Sequence, residues 1–492
     1  MSLINAANLS FTYEGSHDPV FKDVSFQIDT DWKLGITGRN GRGKTTLLRL
    51  LMGRLDHGGT ISSSMDFEYF PYDVPDTGRT ALDAALAVSP GFELWQFKKE
   101  LAALQVADEV LGRPYGTLSK GEQTKVLLAA MFLKENNYLL IDEPTNHLDL
   151  AAREIVSRYL NSKKSFILVS HDRAFLDHCI DHIMSINRQN IEIQSGNFST
   201  WLENKRRQDS YEQARNDLLK KDIRKLTEAA RRTSAWSSKT EKKKNGRLPC
   251  GTKTDRGYVG HKAAKMMKVS KVIEARQETA AEEKSRLLRN VDSAENLKLA
   301  QLQFHSKRLA ELEDICVVYG AKQVCGPLSF TIDQGDRIAL TGRNGSGKSS
   351  IVRLLCGEEV PHRGALRKNG QLIISYVPQD TSGLSGSLTD YARESGVDES
   401  LFKAILDKLG VTKPQFEKDM GDFSAGQKKK VLIARSLSEK AHLHIWDEPL
   451  NYIDVLSRMQ IEELLLTWKP TILFVEHDRA FCENVATKTV AL

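Results

Sequence analysis

The 492-residue sequence has no apolar run near the roughly 18 residues that a membrane-spanning helix needs. Its longest apolar runs, residues 166–169 and 472–475, are short enough to be buried strands. The first five residues, MSLIN, have neither a basic region nor an apolar core, so they do not form a signal peptide. We therefore expect a cytoplasmic protein with no membrane segment.

Cysteine is also scarce and scattered. None of the six cysteines lies in a Cys-x-x-Cys pair; they are Cys179, Cys250, Cys316, Cys325, Cys356 and Cys482. This spacing argues against a disulfide framework and against a structural zinc site. Reduced thiols in a cytosolic protein are the expected state.

Proline is nearly absent from residues 201–300, where Pro249 is the single example. Residues 205–289 hold 25 Lys and Arg against 11 Asp and Glu, a net charge of 25 − 11 = +14. Since the whole chain has a net charge of +6, the remainder carries 6 − 14 = −8. We predict a basic linker of two long antiparallel helices, joined by a projecting loop near residues 242–258.

The sequence on either side of this linker is an internal repeat at an offset of about 305 residues. Five pairs share that offset: Tyr13 with Tyr319, Lys44 with Lys348, Gly121 with Gly426, Glu143 with Glu448, and His171 with His477. Short apolar strands followed by polar residues predict the α/β class in each half. The predicted domains are 1–200, the linker 201–300 and 301–492.

Each half contains a glycine-rich phosphate-binding loop, GRNGRGKT at residues 38–45 and GRNGSGKS at residues 342–349. Both fit the P-loop pattern, in which backbone amides converge on phosphates at a helix N-terminus. The lysines should contact the β- and γ-phosphates of ATP, and the hydroxyls of Thr45 and Ser349 should bind Mg²⁺. The predicted loop contacts to ATP are Asn40, Gly41, Gly43, Lys44, Thr45, Thr46, Asn344, Gly345, Gly347, Lys348, Ser349 and Ser350.

An acidic pair closes a later strand in each half. Asp142 and Asp447 are predicted Mg²⁺ carboxylates. Glu143 and Glu448 follow them and are candidate general bases for the attacking water. At the next strand end, His171 and His477 are predicted to sense the γ-phosphate or to orient that water.

These motifs in this order resemble the ATP-binding cassette superfamily. LSKGEQ at residues 118–123 and FSAGQ at 423–427 look like its signature motif, and residues 146–149 and 451–454 match its D-loop. The resemblance implies that Tyr13 and Tyr319 stack on adenine. It also implies head-to-tail closure, in which Ser119 and Gly121 complete the second ATP site, and Ser424 and Gly426 complete the first.

Three departures make the halves unequal. The family's Q-loop glutamine is present as Gln379, a predicted Mg²⁺ ligand, whereas Tyr72 occupies that position in the first half. Leu450 replaces the threonine found at Thr145, and Ala425 stands where glycine is usual. We expect both sites to bind ATP but to turn over at different rates.

Two cassettes, a helical linker and no membrane helices resemble the ABC-F family of ribosome-associated translation factors and resistance proteins. In that family the linker enters the ribosomal E site and touches the P-site tRNA. A basic helical pair suits the phosphate contacts that dominate nucleic-acid affinity, although a charge run can also be a solvated face. Candidate RNA contacts are Trp236, Lys243, Lys244, Arg247, Leu248 and Tyr258.

The Q-loop of the first half and DEPLNYID at residues 447–454 are similar to Lsa-type resistance proteins. That similarity implies protection of the bacterial 70S ribosome, through 23S rRNA and P-site tRNA, from lincosamides, streptogramin A compounds and pleuromutilins. The protein would act as a monomer whose cassettes close on each other. A housekeeping factor for stalled ribosomes, a transporter ATPase subunit and a DNA-repair ATPase are the competing hypotheses.

Overall fold

The structure, a computed structural model, describes residues 2–14, 19–134, 137–146, 148–187, 190–242, 268, 272, 301–320 and 322–492. Both cassettes belong to one compact unit, and Leu202–Ala294 form a second unit. The predicted α/β class is confirmed, since each half contains a largely parallel sheet with helices between its strands. No described helix is both long enough and apolar enough to cross a membrane.

The first cassette alternates strands and helices. Its strands are β1 (Leu3–Phe11), β2 (Phe21–Asp29), β3 (Lys33–Thr37), β4 (Gly58–Ser62), β5 (Asp66–Phe70), β6 (Asn137–Asp142), β7 (Phe166–Val169), β8 (His182–Ile186) and β9 (Ile191–Ser195). Its helices are α1 (Lys44–Leu51), α2 (Ala81–Val88), α3 (Leu94–Ala103), α4 (Lys120–Met131), α5 (Leu150–Asn161) and α6 (Arg173–Cys179).

The second cassette repeats this order. Its strands are β10 (Arg308–Tyr319), β11 (Lys322–Gln323), β12 (Leu328–Asp333), β13 (Arg337–Thr341), β14 (His362–Lys368), β15 (Ile374–Val377), β16 (Leu443–Asp447), β17 (Ile472–Val475) and β18 (Lys488–Ala491). Between the cassettes runs α7 (Phe198–Lys242), and the later helices are α8 (Lys348–Cys356), α9 (Leu388–Glu394), α10 (Glu399–Lys408), α11 (Ala425–Ser438), α12 (Val455–Trp468) and α13 (Arg479–Val485).

The order of strands in each main sheet decides where the chemistry collects. The first sheet runs β5-β6-β7-β3-β8-β9 and the second runs β15-β16-β17-β13-β18. In the first, Asp142 pairs in register with Val169, and Val169 pairs with Ile36. Because parallel strands end at the same edge, the P-loop, the acidic pair and the histidine segment emerge side by side.

The strands read as continuous apolar runs because both faces of the parallel sheet are covered. Every residue of β7 and of β17 is buried. A separate antiparallel sheet, β2-β1-β4, shares a buried core with α1, and β12-β10-β14 is its counterpart in the second cassette. These small sheets position both tyrosines. Tyr13 lies just beyond the end of the central strand β1, and Tyr319 is at the end of the central strand β10.

Of the linker, the structure describes the first long helix. Helix α7 has 45 residues, and ion pairs one turn apart, such as Arg207 with Glu203 and Arg224 with Glu228, line its surface. Tyr211 and Leu218 are 69% and 64% exposed, as expected for a helix with few apolar positions. The predicted second helix and the loop near residues 242–258 lie outside the described residues, apart from Lys242 at the end of α7 and the isolated positions Lys268 and Val272.

His444 on β16 gives a testable pH dependence of stability. Its side chain is fully buried, with Nδ1 3.1 Å from Ser436 Oγ, and burial lowers its pKa to about 4. The folded protein therefore takes up this proton only near pH 4, whereas the unfolded chain takes it up near 6.5. Stability from the neutral ring is present above pH 6.5 and is lost as pH falls toward 4.

We expect the free energy of unfolding to fall by about 3 kcal/mol from this group alone between pH 6.5 and 4. The equivalent position in the first cassette is Leu139, so His444→Leu is the matched control. Urea titrations at pH 7 and pH 4.5 should show a smaller pH effect in the variant. An identical pH effect in both proteins would contradict the prediction.

Candidate functional site

The glycine loops form an anion-binding turn in both cassettes. Gly43 and Gly347 precede α1 and α8 with φ of 88° and 96°, the left-handed region that favours glycine. A Cβ on Gly43 would also lie 2.5 Å from Val20 Cγ1. The turn leaves the amide groups at the start of α1 pointing along the helix axis, where negative charge is favoured.

The P-loop lysines span these turns. Lys44 Nζ donates to Gly38 O at 2.8 Å and lies 3.3 Å from Asn40 Oδ1. Lys348 Nζ donates to the carbonyls of Gly342 and Arg343, both at 2.9 Å. Each ammonium group is thus held inside the loop that the sequence predicts to bind phosphate.

A hydroxyl and a carboxylate meet beside each P-loop. Thr45 Oγ1 donates to Asp142 Oδ2 at 2.8 Å, and Ser349 makes the same bond to Asp447. Asp447 Oδ1 is buried and has no hydrogen-bond partner among the described residues. These hard oxygen atoms fit Mg²⁺, which takes one or two protein oxygens and leaves its other positions to phosphate and water.

A tyrosine that the sequence analysis overlooked completes this corner. Tyr69 donates its hydroxyl to Asp142 Oδ2 at 2.9 Å. Burial, together with the Asp142 charge, raises the pKa of Tyr69, and burial raises that of the equivalent Tyr376 to about 12. Both phenols therefore stay neutral donors. Their recurrence at an offset of 376 − 69 = 307 residues, close to that of the other pairs, is the signal that would have found them.

The predicted general bases share a strained backbone. Glu143 and Glu448 have φ of 53° and 47°, although neither is glycine. Their amides donate to the last strand residues, Val169 O at 2.8 Å and Val475 O at 3.1 Å. Left-handed non-glycine residues concentrate at functional sites, and here the conformation recurs at equivalent positions.

Each glutamate faces the predicted histidine. Glu143 Oε1 lies 3.3 Å from His171 Nε2, and Glu448 Oε1 lies 3.7 Å from His477 Nε2. Burial lowers the pKa of His171 well below its usual value, with the nearby Lys44 charge acting in the same direction. A neutral imidazole beside a carboxyl group can orient water and phosphate, as the sequence predicts.

The pKa values of the two glutamates shift in opposite directions. Burial raises the pKa of Glu143 to about 8, and the Asp142 charge adds to it. Burial also disfavours ionised Glu448, but its pKa is lowered because the neighbouring His477 and the hydrogen bond donated by Asn451 outweigh that effect. The environments of the two glutamates therefore shift their pKa values in opposite directions. Different turnover rates at the two sites stay a prediction.

The Q-loops of the two cassettes also differ. Gln379 Nε2 donates to Glu448 Oε2 at 2.7 Å, and Asn451 Nδ2 donates to the same oxygen at 2.7 Å. The amide thus faces the glutamate rather than Asp447, so the role of Gln379 as a Mg²⁺ ligand stays a prediction. In the first cassette, half-buried Tyr72 follows a cis peptide between Phe70 and Pro71.

The signature serines begin helices. Ser119 caps α4 in a reciprocal pair with Glu122, and Ser424 caps α11 in the same way with Gln427. A Cβ on Gly426 would lie 2.3 Å from Tyr452 O and 2.8 Å from Asn40 Nδ2. Only glycine fits where the second signature meets the first P-loop.

The two cassettes contact each other head to tail. Asn40 Nδ2, in the first P-loop, donates to Tyr452 O in the second D-loop at 2.6 Å. Burial lowers the pKa of Lys44, and the largest opposing charge is Asp454. Lys348 in turn interacts with the Asp149 charge of the first D-loop. The first P-loop therefore lies against the second D-loop and signature, and closure of the cassettes on ATP stays a prediction.

An arginine crosses from one cassette to the other beside the histidine. Arg153 donates through one guanidinium nitrogen to Asp172 Oδ2 at 3.0 Å and to His477 O at 2.9 Å. The equivalent Arg458 pairs with Asp478 and acts electrostatically on Glu143. Each cassette therefore contributes charge to the catalytic segment of the other.

Several buried charged residues of the second cassette were not predicted. Lys430 Nζ binds Asp454 Oδ2 at 2.9 Å, and both side chains are at most 5% exposed. Lys429 Nζ donates to Pro378 O at 2.7 Å, and burial lowers its pKa to about 8 despite the opposing charge of Glu476. Lys430 has a counterpart in Lys125, so repeat comparison would have found that pair.

The adenine-stacking candidates occupy equivalent places. The Tyr13 hydroxyl lies 2.8 Å from Thr46 Oγ1, and the Tyr319 hydroxyl lies 3.1 Å from Ser350 Oγ. Their rings are 43% and 44% exposed. A half-exposed ring anchored beside the P-loop helix is available to a base, and the stacking role stays a prediction.

The RNA-contact candidates cannot be placed in the same way. Trp236 belongs to α7, and its side chain is outside the described part of the chain. Lys243, Lys244, Arg247, Leu248 and Tyr258 lie outside the described residues.

The sequence profile described as "ABC transporter" matches residues 21–146 and 325–451. The ATP-binding protein Uup of Caulobacter vibrioides is 28% identical, over 96% of this chain and 75% of its own length. The ribosome protection protein VmlR of Bacillus subtilis is 26% identical, over 100% and 86%.

Among solved structures, the chain resembles the archaeal ribosome recycling factor aABCE1 in complex with stalk protein aP1. The TM-score is 0.63 at 20% identity, covering 98% of this chain and 87% of that one. At this identity the likeness bears on the fold alone, a pair of tandem nucleotide-binding cassettes.

Proposed function

The chain belongs to the ABC transporter family and, within it, to the ABC-F group of ATPases. On that premise we propose that it protects the bacterial ribosome from drugs of the peptidyl-transferase centre. The observation that carries the proposal is similarity to the ribosome protection protein VmlR across the whole chain. In this proposal the protein acts in the cytoplasm, binds at the ribosomal E site, and leaves after hydrolysing ATP.

The residues divide the ATP chemistry between them. The P-loop amides with Lys44 and Lys348 bind phosphate, and Tyr13 and Tyr319 hold the base. Thr45 with Asp142, and Ser349 with Asp447, would hold Mg²⁺, which neutralises phosphate charge when bound. Glu143 and Glu448 take a proton from the attacking water, and His171 and His477 orient it.

Closure of the cassettes supports a clamp that responds to ATP. Asn40 of the first P-loop already contacts Tyr452 of the second D-loop, so a nucleotide held at Lys44 would lie against the second signature. Ser424 and Gly426 then complete the first site, and Ser119 and Gly121 the second. Binding two nucleotides favours the closed state, and hydrolysis removes that preference.

The linker supports a nucleic-acid partner. Its net charge of +14 over residues 205–289 favours phosphate contacts, and the exposed aromatic and apolar side chains of α7 are available to a partner. Trp236, Lys243, Lys244, Arg247, Leu248 and Tyr258 are the proposed contacts to 23S rRNA and P-site tRNA. Dislodging lincosamides, streptogramin A compounds and pleuromutilins is the proposed outcome.

A translation factor without resistance activity is the second candidate, since Uup matches this chain at similar identity and coverage. Growth inhibition separates the two. A drug-sensitive host expressing the wild-type chain should need severalfold more of these three drug classes, with no change for a drug that binds elsewhere on the ribosome. The Lys44→Ala/Lys348→Ala variant, which cannot bind ATP phosphates, should give no protection.

Co-sedimentation with ribosomes without any rise in resistance would favour the translation factor over protection. Failure to co-sediment with ribosomes under any nucleotide condition would reject both. Co-purification with a membrane protein would support the transporter subunit instead.

A further inference from the structure

Three equivalent positions near the predicted catalytic histidine hold residues of different chemistry in the two cassettes. In the first cassette they are Thr124, Thr145 and Ser170, and in the second they are Lys429, Leu450 and Glu476. The Thr145 hydroxyl lies 3.2 Å from Ser170 Oγ, a neutral pair that is fully buried. A single hydroxyl pair in one site thus corresponds to a charged arrangement in the other.

Glu476 organises the backbone on both sides of the second site. Its Oε1 accepts from the Leu450 amide at 2.7 Å, and its Oε2 accepts from the His477 amide at 2.9 Å. The residue is 3% exposed. A carboxylate that accepts two backbone N–H groups fixes the segment bearing the histidine relative to the segment that follows Glu448.

Leu450 fits this arrangement because its aliphatic side chain needs no hydrogen-bond partner. It is fully buried in the apolar core of the second cassette, beside residues such as Phe474 and Phe481. Threonine at this position would bring a hydroxyl into the core where the Ser170 equivalent is a carboxylate. The replacement of threonine by Leu450 is therefore one part of the joint difference at these three positions.

Lys429 connects the Q-loop to the strand end that precedes Glu448. Its ammonium group donates to Pro378 O at 2.7 Å and lies 3.4 Å from Asp447 O, and the side chain is 1% exposed. Of the charges around it, Glu476 stabilises its protonated form most. Pro378 directly precedes Gln379, whose amide binds Glu448 at 2.7 Å.

We propose that Lys429 and Glu476 are positioning residues that lock His477, Gln379 and Glu448 of the second cassette into one rigid catalytic set. In the first cassette the Thr145 and Ser170 hydroxyls replace the charged groups, and neutral hydrogen bonds hold its catalytic segments more weakly. The lock acts on hydrolysis at the second site and leaves ATP binding there and hydrolysis at the first site unchanged. It rests on the proposed roles of Glu448 and His477, not on the ribosome.

The test isolates each site in the full-length chain. In a Glu143→Gln background the second site supplies the hydrolysis, and in a Glu448→Gln background the first site does. Adding Glu476→Gln should lower kcat in the first background by roughly ten- to a hundredfold, because catalytic groups shift from their positions. KM for ATP should stay within about twofold, since the nucleotide contacts are untouched.

The same substitution in the Glu448→Gln background is the matched control. It should change kcat by less than about twofold, because both hydrogen bonds of Glu476 are made within the second cassette and substitutions without shared partners are nearly additive. The triple change Lys429→Thr/Leu450→Thr/Glu476→Ser installs the first cassette's set and should recover most of the melting temperature that Glu476→Gln loses. Its kcat at the second site should remain below that of Glu143→Gln alone.

Equal losses of kcat in both backgrounds, or a rise in KM with constant kcat, would overturn the proposal in favour of a purely structural role. Triple-variant kcat equal to that of Glu143→Gln alone would also overturn it, since neutral hydroxyls would then serve equally well. If Glu448→Gln itself fails to reduce hydrolysis, the assignment of Glu448 fails first and independently.

Discussion

Replacing both Glu143 and Glu448 by glutamine is expected to reduce ATP hydrolysis by at least about 100-fold, the usual contribution of a general base. Glutamine keeps the shape of the side chain but cannot accept the proton of the attacking water. Phosphate binding should persist because Lys44 and Lys348 remain within their loops. The cassettes should then stay closed on ATP.

On the proposed function, this variant should remain on ribosomes when ATP is present. Sedimentation through a sucrose cushion measures it, with ATP and with ADP in parallel. The Lys44→Ala/Lys348→Ala protein is the control, and it should not be retained because it loses the phosphate contacts. Unchanged melting temperatures would establish that both variants are folded.

Two separate outcomes would contradict the reading. Hydrolysis above about a tenth of the wild-type rate would mean that neither glutamate is the main base, given what a general base contributes. Lost hydrolysis without retention on ribosomes would leave the ATPase assignment intact and remove the ribosome from the proposal.

The second large effect is expected at Asp454, the first residue before α12. Its carboxylate caps the helix through the Ser457 amide at 2.9 Å and binds Lys430 Nζ at 2.9 Å. Both charged groups are almost completely buried. We expect Asp454→Ala to cost about 4 kcal/mol of unfolding free energy, since it removes a cap and leaves a buried cation unpaired.

The first cassette supplies the matched control. Asp149 caps α5 in the same way, through the Ala152 amide at 2.9 Å, but both Asp149 and Lys125 are only half-buried. Asp149→Ala should therefore cost about 1 kcal/mol, the value of a helix cap. Urea denaturation of each variant gives the comparison.

A charge-free pair tests the cause. Lys430→Met with Asp454→Asn removes both charges and keeps a side chain that can cap the helix. It should recover at least about half of the stability lost in Asp454→Ala, because the unpaired buried charge is gone. Equal costs for Asp454→Ala and Asp149→Ala would show that burial of the ion pair contributes nothing.

Motif order was sufficient to predict the α/β class and to group the ATP-site residues. Lys44, Asp142 and His171 are far apart in the chain, yet each follows an apolar run, and parallel strands end at a common edge. The departures Tyr72 and Leu450 were also visible in the sequence. Their structural consequences were not visible, because the sequence does not show which residues contact a changed position or which other positions change with it.

The functional residues that the sequence did not reveal are those whose roles depend on their tertiary contacts. Tyr69 reads as an ordinary strand aromatic until its hydroxyl is seen 2.9 Å from Asp142. Arg153 reads as a helix surface charge until it reaches His477 O of the other cassette. Contacts between segments some 300 residues apart depend on how the two cassettes dock. The hydrophobic periodicity within one segment does not indicate that docking.

By itself, the sequence determined that this chain has two ATP-binding cassettes, because a P-loop needs glycine, lysine and a hydroxyl at fixed local spacing. It also determined the basic linker, since charge is a property of composition. Only the tertiary structure decided that the pKa values of the two catalytic glutamates shift in opposite directions. The ionisation of Glu143 and Glu448 depends on burial and on neighbours brought together by the fold, including charges from the opposite cassette.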